Sequence, residues 1–239
     1  MSNLALAYKS LGKYADAEKL QIKVLGLRNK LLGEEHPYTI SAMNNLAITY
    51  ATPKKYADAE KLQVKVLDLK NRLCGEEHPD TTSAMTNLAF TYMNLGKYTD
   101  GEKLQIQVLG MGNRLVGEEH PHIITAMSNL ALTYQRLGKH ADAEKLQIKV
   151  LDLRNRLLGE EHPDTINAMS NLAVTYYSLG KYADAEKIEM HVLDIRNRLL
   201  RGEHPDTINA MEHLAIAFYH LQRYKDAARL AVKVVDARK

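Results

Sequence analysis

One spacing constrains this chain more than any other feature. The dipeptide His-Pro occurs at His36-Pro37, His78-Pro79, His120-Pro121, His162-Pro163 and His204-Pro205, each 42 residues after the last, and every proline except Pro53 belongs to the series. Other columns keep the same register. Met1, Met43, Met85, Met127, Met169 and Met211 form one, and Leu4, Leu46, Leu88, Leu130, Leu172 and Leu214 form another. Residues 122–163 and 164–205 share 28 identities in 42 aligned positions. The 239 residues are therefore no measure of one domain's size. A period in this range marks supersecondary units that bury a core only by stacking on their neighbours.

Each unit reads as two helices. The first opens at His162-Pro163-Asp164-Thr165, where proline suits the first helical position because its missing N–H would be unsatisfied there, and Asp164 complements the positive end of the helix dipole. Its apolar stripe is Met169, Leu172, Ala173, Tyr176 and Leu179, and Gly180-Lys181 ends it with glycine at the expected C-terminal cap. The second helix starts near Tyr182 with the stripe Ala185, Ile188, Val192, Ile195 and Leu199, widened by Leu193. It closes at a glycine such as Gly159. Strand signals are absent, so the expectation is all-α: about 12 helices stacked as hairpins into an α-solenoid with a core continuous from end to end. The repeats fall at 37–78, 79–120, 121–162 and 163–204, flanked by partial units 1–36 and 205–239, in a single array over 1–239.

Composition excludes several classes. Hydrophobic residues make up 45% and charged residues 26%, the balance of a folded globular chain rather than a disordered one. No apolar run approaches the ~20 residues that span a membrane. The start lacks the basic and apolar regions of a signal peptide. Cys74 is the only cysteine, which excludes a disulfide framework and points to a reducing, cytoplasmic setting. A net charge of +3, with no Lys/Arg block, gives no case for nucleic acid.

The run Asn171-Leu-Ala-x-Thr-Tyr-x-x-Leu-Gly-Lys-Tyr-x-Asp-Ala-Glu-Lys187 resembles the tetratricopeptide repeat (TPR). The family's small-residue positions fall on Ala173 and Ala185, its turn glycine on Gly180, and its aromatics on Tyr176 and Tyr182. The period is 42 rather than 34, and the tail Leu-x-x-Arg-x-x-Leu-Leu-Gly-x-Glu-His-Pro-Asp-Thr (Leu151 to Thr165) is similar to the long repeats of kinesin light chains. It also resembles the TPR arrays of fungal and bacterial nucleotide-binding receptors. The resemblance covers the whole chain and implies a right-handed TPR superhelix.

Departures from the repeat mark local differences. Pro53 replaces the Leu of Leu95, Leu137 and Leu179, and Lys54 replaces the turn glycine, so that first helix should stop earlier, near Thr52. Gly101 replaces the packing alanine of Ala59 and Ala143, while Gly110 and Gly112 replace Asp68 and Lys70. Interior glycines cost a helix about 1 kcal/mol each. Residues 98–116 are accordingly expected to form the softest full-length helix.

Nothing in the sequence assembles chemistry. Ten histidines and repeated Glu-Glu-His runs invite a metal reading, yet stacked helices would hold the repeating histidines roughly 10 Å apart, whereas zinc ligands sit ~2 Å from one ion. Glu-Glu-His-Pro is better read as a turn and helix start. His213 and His220 share a helix without the HExxH spacing. No phosphate-binding glycine loop occurs. Cys74 takes a column filled by Leu32, Val116, Leu158 and Leu200 and reads as a small hydrophobe. The chain is read as non-enzymatic, without metal or cofactor.

One stripe remains. If the TPR resemblance holds, the first helices line the concave surface, and the face turned from their packing stripe forms a groove. It would carry Asn45, Asn87, Asn129 and Asn171 as a ladder of side-chain amides, each able to pair with a passing peptide backbone. Ile48, Phe90, Leu132 and Val174 would supply apolar contacts, Tyr177 an aromatic one, and Arg136 the one clear cation. Two readings stay open. The amides bridge neighbouring first helices, or they line a peptide groove, as the likeness to kinesin light chains implies. The last unit has Glu212 and His213 where the ladder would continue, so His213 could make binding pH-dependent.

Met1 aligns with Met43 and Lys239 with Asn197, so the sequence opens and closes within helices and shows no polar capping helix. Val232, Val234 and Val235 would then lie near an open end face, and end-to-end self-association follows as an option. The function expected is a protein–protein interaction scaffold that binds a peptide segment in its groove, with no nucleic-acid or membrane partner. The alternative is a self-associating, spacer or sensor segment of a larger receptor.

Overall fold

The computed structural model describes residue 8 and residues 11–51, 54–200 and 202–238. Among these residues the secondary structure is eleven α-helices and no strand. They are α1 (Tyr14–Leu32), α2 (Pro37–Ala51), α3 (Tyr56–Cys74), α4 (Pro79–Asn94), α5 (Tyr98–Val116), α6 (Pro121–Arg136), α7 (His140–Leu158), α8 (Pro163–Ser178), α9 (Tyr182–Leu199), α10 (Pro205–His220) and α11 (Tyr224–Ala237). Met1, Leu4, Thr52, Pro53 and Lys239 lie outside the described residues. The chain forms two compact units, residues 1–116 and 117–239, and within each one every helix packs on the next.

His-Pro starts each first helix through a specific bond. The Nδ1 atoms of His36, His78, His120, His162 and His204 accept the backbone N–H two residues on, at 3.1–3.3 Å. Proline then occupies the first helical turn. Histidine thus does the work usually given to Ser or Asp, satisfying one of the orphan donors at a helix N-terminus. We expect His162→Ala to lower stability by about 1 kcal/mol in denaturant melts, and His162→Asp to restore it.

First helices end in a Schellman motif. In α8 the Lys181 N–H donates to Tyr176 O at 2.8 Å and the Gly180 N–H to Tyr177 O at 3.0 Å, with Gly180 at φ +71°. The same bonds close α2 and α10 around Lys54 (φ 59°) and Gln222 (φ 61°), which lack glycine's freedom there. Ala51 is the last described residue of helix α2, so the end predicted near Thr52 falls outside the described residues. A side chain in the left-handed region costs about 1–2 kcal/mol. Gln222→Gly should therefore raise stability by about 1 kcal/mol, measured by chemical denaturation.

The core repeats like the sequence. In the first unit Ile40 and Met43 of α2, Val66 and Leu69 of α3 and Ala84 of α4 cluster together. In the second, Ile166, Met169, Val192, Ile195 and Ala210 form the same cluster 126 residues later. Three consecutive helices contribute to each, which is why one hairpin cannot bury its own faces. Ala17, Ala59, Ala143 and Ala185 are fully buried near the start of α1, α3, α7 and α9. Leu199 ends its predicted stripe exposed.

Helix α5 runs unbroken through its three glycines. A Cβ at Gly101 would meet Met93 Sδ at 3.4 Å, and one at Gly110 would meet only Arg114 Nη1, at 3.9 Å. Gly110→Ala is thus expected to stabilise the first unit by about 1 kcal/mol, read as a higher denaturation midpoint.

Charges lock the repeat register. Lys55, Lys97, Lys181 and Arg223 pair with Glu18, Glu60, Glu144 and Glu186, each 37 residues earlier, at 2.5–2.8 Å. The three lysines also lie 5.5–5.8 Å from the ring centroids of Tyr50, Tyr92 and Tyr176. The second glutamate of each Glu-Glu-His-Pro has a similar task. Glu35, Glu77, Glu119 and Glu161 pair with Arg72, Arg114, Arg156 and Arg198 of the following repeat at 2.6–2.9 Å. Such exposed pairs are screened by salt and fix geometry more than they stabilise.

Candidate functional site

The exposed faces of the first helices form the candidate site, in two stretches described separately. In the first unit, Asn45 and Ile48 are exposed on α2, while α4 carries half-buried Asn87 and an exposed Phe90. The packing stripe Met43, Leu46, Ala47 on α2 and Met85, Leu88, Ala89 on α4 is buried. Since consecutive helical residues point about 100° apart, burying one stripe leaves 45/48 and 87/90 outward.

Asn45 and Asn87 line one cavity together with Ser41, Asn44 and Ser83 of the first helices and Lys70 and Val66 of α3 below them. Within it the Asn87 amide donates to Asn44 Oδ1 at 3.2 Å. Asn87 therefore bridges to the position beside its expected neighbour in the ladder. Ser41 and Ser83 turn their hydroxyls back onto Pro37 O and Pro79 O at 2.9 Å, so their oxygens face the cavity as acceptors.

In the second unit, Asn129, Leu132 and Arg136 are exposed on α6, and Asn171 is half-buried beside exposed Val174 on α8. Two residues of that face turn inward. Gln135 donates through its amide to Thr175 Oγ1, which in turn donates to the buried Gln147 Oε1 at 2.6 Å. The Tyr177 hydroxyl donates to the backbone oxygen of His213 at 2.6 Å. Burial, with Glu189 and Glu186 nearby, pushes the Tyr177 phenol well above its ordinary range. Tyr177 thus joins α8 to α10, with only part of its ring open.

The second helices contribute a row of cations that the reading of the first helices missed. Arg28, Lys70, Arg154 and Arg196 occupy one column, interrupted by Gly112. Each reaches the start of the next first helix: Arg28 to Tyr38 O (2.7 Å), Lys70 to Asp80 Oδ2 (2.5 Å), Arg154 to Asp164 O (2.9 Å) and Arg196 to Asp206 O (2.8 Å). The Lys70 ammonium, through that bond and its charge, holds the Asp80 carboxyl below the ordinary carboxylate value. Lys70 also forms part of the cavity floor, and Arg196 lines a second cavity with Ile166 and Asn167 of α8. Arg136 is therefore not the sole positive group on this face. The signal was present as a basic residue recurring at 42, but it sits on the helices read as packing elements.

Cys74 is exposed rather than buried, as are Leu32, Val116 and Leu158 of its column. These side chains close the ends of second helices and belong to the surface. Val234 is buried, whereas Val232 and Val235 are open. Among the described residues no three His, Cys, Asp or Glu side chains converge as a metal site, and no helix is long and apolar enough to cross a membrane.

Comparison with known proteins agrees with this architecture. Tetratricopeptide-repeat family models match residues 1–72, 80–147 and 123–198, and a further one matches 207–239. The chain belongs to the tetratricopeptide-repeat family. Its fold is similar to that of a kinesin light chain-type protein from Podosopora anserina with nearly identical TPR-like repeats. That match has 25% identity over 85% of this chain and 97% of the other, with a TM-score of 0.77. It is also similar to BtubC (BKLC) from P. vanneervenii, at 20% identity over 95% and 91% of the two chains and a TM-score of 0.76. A signal-transduction ATPase with a TPR sensor from Pyrococcus horikoshii matches at 18% identity and a TM-score of 0.77. There this chain is covered to 99% and the larger one to 35%. Curated protein sequences yield no match. The family and fold are those of a protein-interaction scaffold.

Proposed function

We propose that the chain binds an extended peptide segment of a protein partner along the exposed face of its first helices. One observation carries this reading. The same position of successive first helices keeps an apolar side chain in solvent: Ile48, Phe90, Leu132, Val174 and Ile216 are 37–59% exposed. Apolar groups held outward at one register offer repeated pockets for ligand side chains, and the neighbouring asparagines offer donors and acceptors to a ligand backbone. Lys70 and Arg196 add positive charge beneath, so acidic side chains on the ligand would find partners. The likeness to a kinesin light chain-type repeat protein supports the same reading.

The test is capture of partners from the organism's own extract by the native chain and by an Asn87→Ala, Asn129→Ala, Asn171→Ala variant. Loss of the same partner bands, with an unchanged melting curve, supports the groove. Equal recovery assigns the asparagines to bridging alone.

A further inference from the structure

The repeat changes three residues at one place, and the structure brings the changes together. Positions 21, 63, 105 and 147 are glutamine, but 189 is glutamate. The asparagine column ends at His213, and the threonine of Thr49, Thr91, Thr133 and Thr175 becomes Ala217. In the preceding repeat Thr175 donates to Gln147. Ala217 cannot serve Glu189 in that way, and His213 does so instead. Its Nδ1 lies 3.1 Å from Glu189 Oε1.

The Glu189 side chain is completely buried, whereas that of His213 is 37% exposed. The second carboxyl oxygen, Oε2, has no hydrogen-bond partner. A carboxyl removed from water and bonded once depends heavily on that single contact. We propose that Glu189 and His213 form a pH-sensitive clasp that fastens α10, and with it the last hairpin, to α9.

Other charged groups around the pair modulate it without replacing it. Tyr177 of α8 sits over the same site through its bond to His213 O. On α9, Arg196 pulls the imidazole's proton affinity down, and on α10 Glu212 raises it. Glu212 is itself paired with Arg238 at 2.7 Å, and Glu186 with Arg223. The bond to Glu189 is the largest influence and outweighs burial, holding the His213 imidazole above its ordinary 6.5. The protonated ring is therefore favoured in the folded state. Its contribution is complete below about 6.5 and fades as pH rises through the elevated value. The last hairpin is thus tightest in mildly acidic conditions and loosens towards alkaline ones.

An NMR titration of the imidazoles in the full chain, with amide hydrogen-exchange protection of α9 and α10, tests the clasp. In the native protein His213 should titrate above 6.5, and Glu189→Gln should move its midpoint to lower pH. Protection of α10 should fall severalfold between about pH 6 and about pH 8.5. The double variant Glu189→Gln, His213→Asn restores the residues that the repeat carries at 147 and 171, so it should fold and lose that dependence. A His213 midpoint at or below 6.5, or an equally steep loss of protection in the double variant, would overturn the proposal.

Discussion

Ile195→Ala should lower the stability of the second unit by about 3–4 kcal/mol, the range for truncating a buried isoleucine to alanine. Ile195 has no exposed surface and sits where α8, α9 and α10 meet, against Ile166, Met169, Val192 and Ala210. The cavity would open between repeats, so it weakens an interface that each neighbour needs. Ile148→Ala provides the contrast on an adjacent second helix. Ile148 is 46% exposed, and its loss should cost no more than about 0.5 kcal/mol. Urea denaturation of the two variants decides the matter, and comparable losses would mean that burial does not rank these positions.

The second large effect concerns binding. Phe90→Asp should weaken capture of the peptide partner by about tenfold or more, as loss of an aromatic anchor does at other interfaces. Phe90 is 59% exposed on α4, the most open member of its column. Folding should be insensitive to the change, because the buried stripe of α4 is Ala84, Met85, Leu88, Ala89 and Thr91. Titration of the captured partner, with a melting curve of each protein, separates the two outcomes. Unaltered affinity would place the anchor elsewhere.

Much of this was legible in the sequence because one spacing repeats. His-Pro marks every first helix, and its meaning is local: a proline-compatible turn with a ring nitrogen one bond away from an orphan amide. The period also located the buried stripe, since Met169, Leu172 and Ala173 must share a face. What the spacing could not give was reach. Lys70 lies on a helix whose pattern reads as packing, yet its long stem carries the ammonium to Asp80 at the start of the next repeat. The sequence leaves open whether the asparagines bridge first helices, and Asn87 bonds Asn44 rather than its ladder neighbour Asn45. Tyr177 of the predicted face, and Gln135 beside Arg136, turn their polar ends inward, because a backbone oxygen and Thr175 Oγ1 lie within range. His213 was visible as a break in the asparagine column, but its partner is 24 residues away and in no column with it.

Two of the apolar columns left in solvent make opposite claims on a partner. One is the first-helix column of Phe90 and its equivalents. The other lies on second helices: Ile22, Val64 and Ile106 in the first unit, and Ile148, Met190 and Val232 in the second, 46–61% exposed. Hydrogen exchange measured with and without the captured partner distinguishes them most directly. The peptide-groove account predicts new protection on α2, α4, α6, α8 and α10 and none on α3, α5, α7 and α9. Protection confined to the second helices would contradict it.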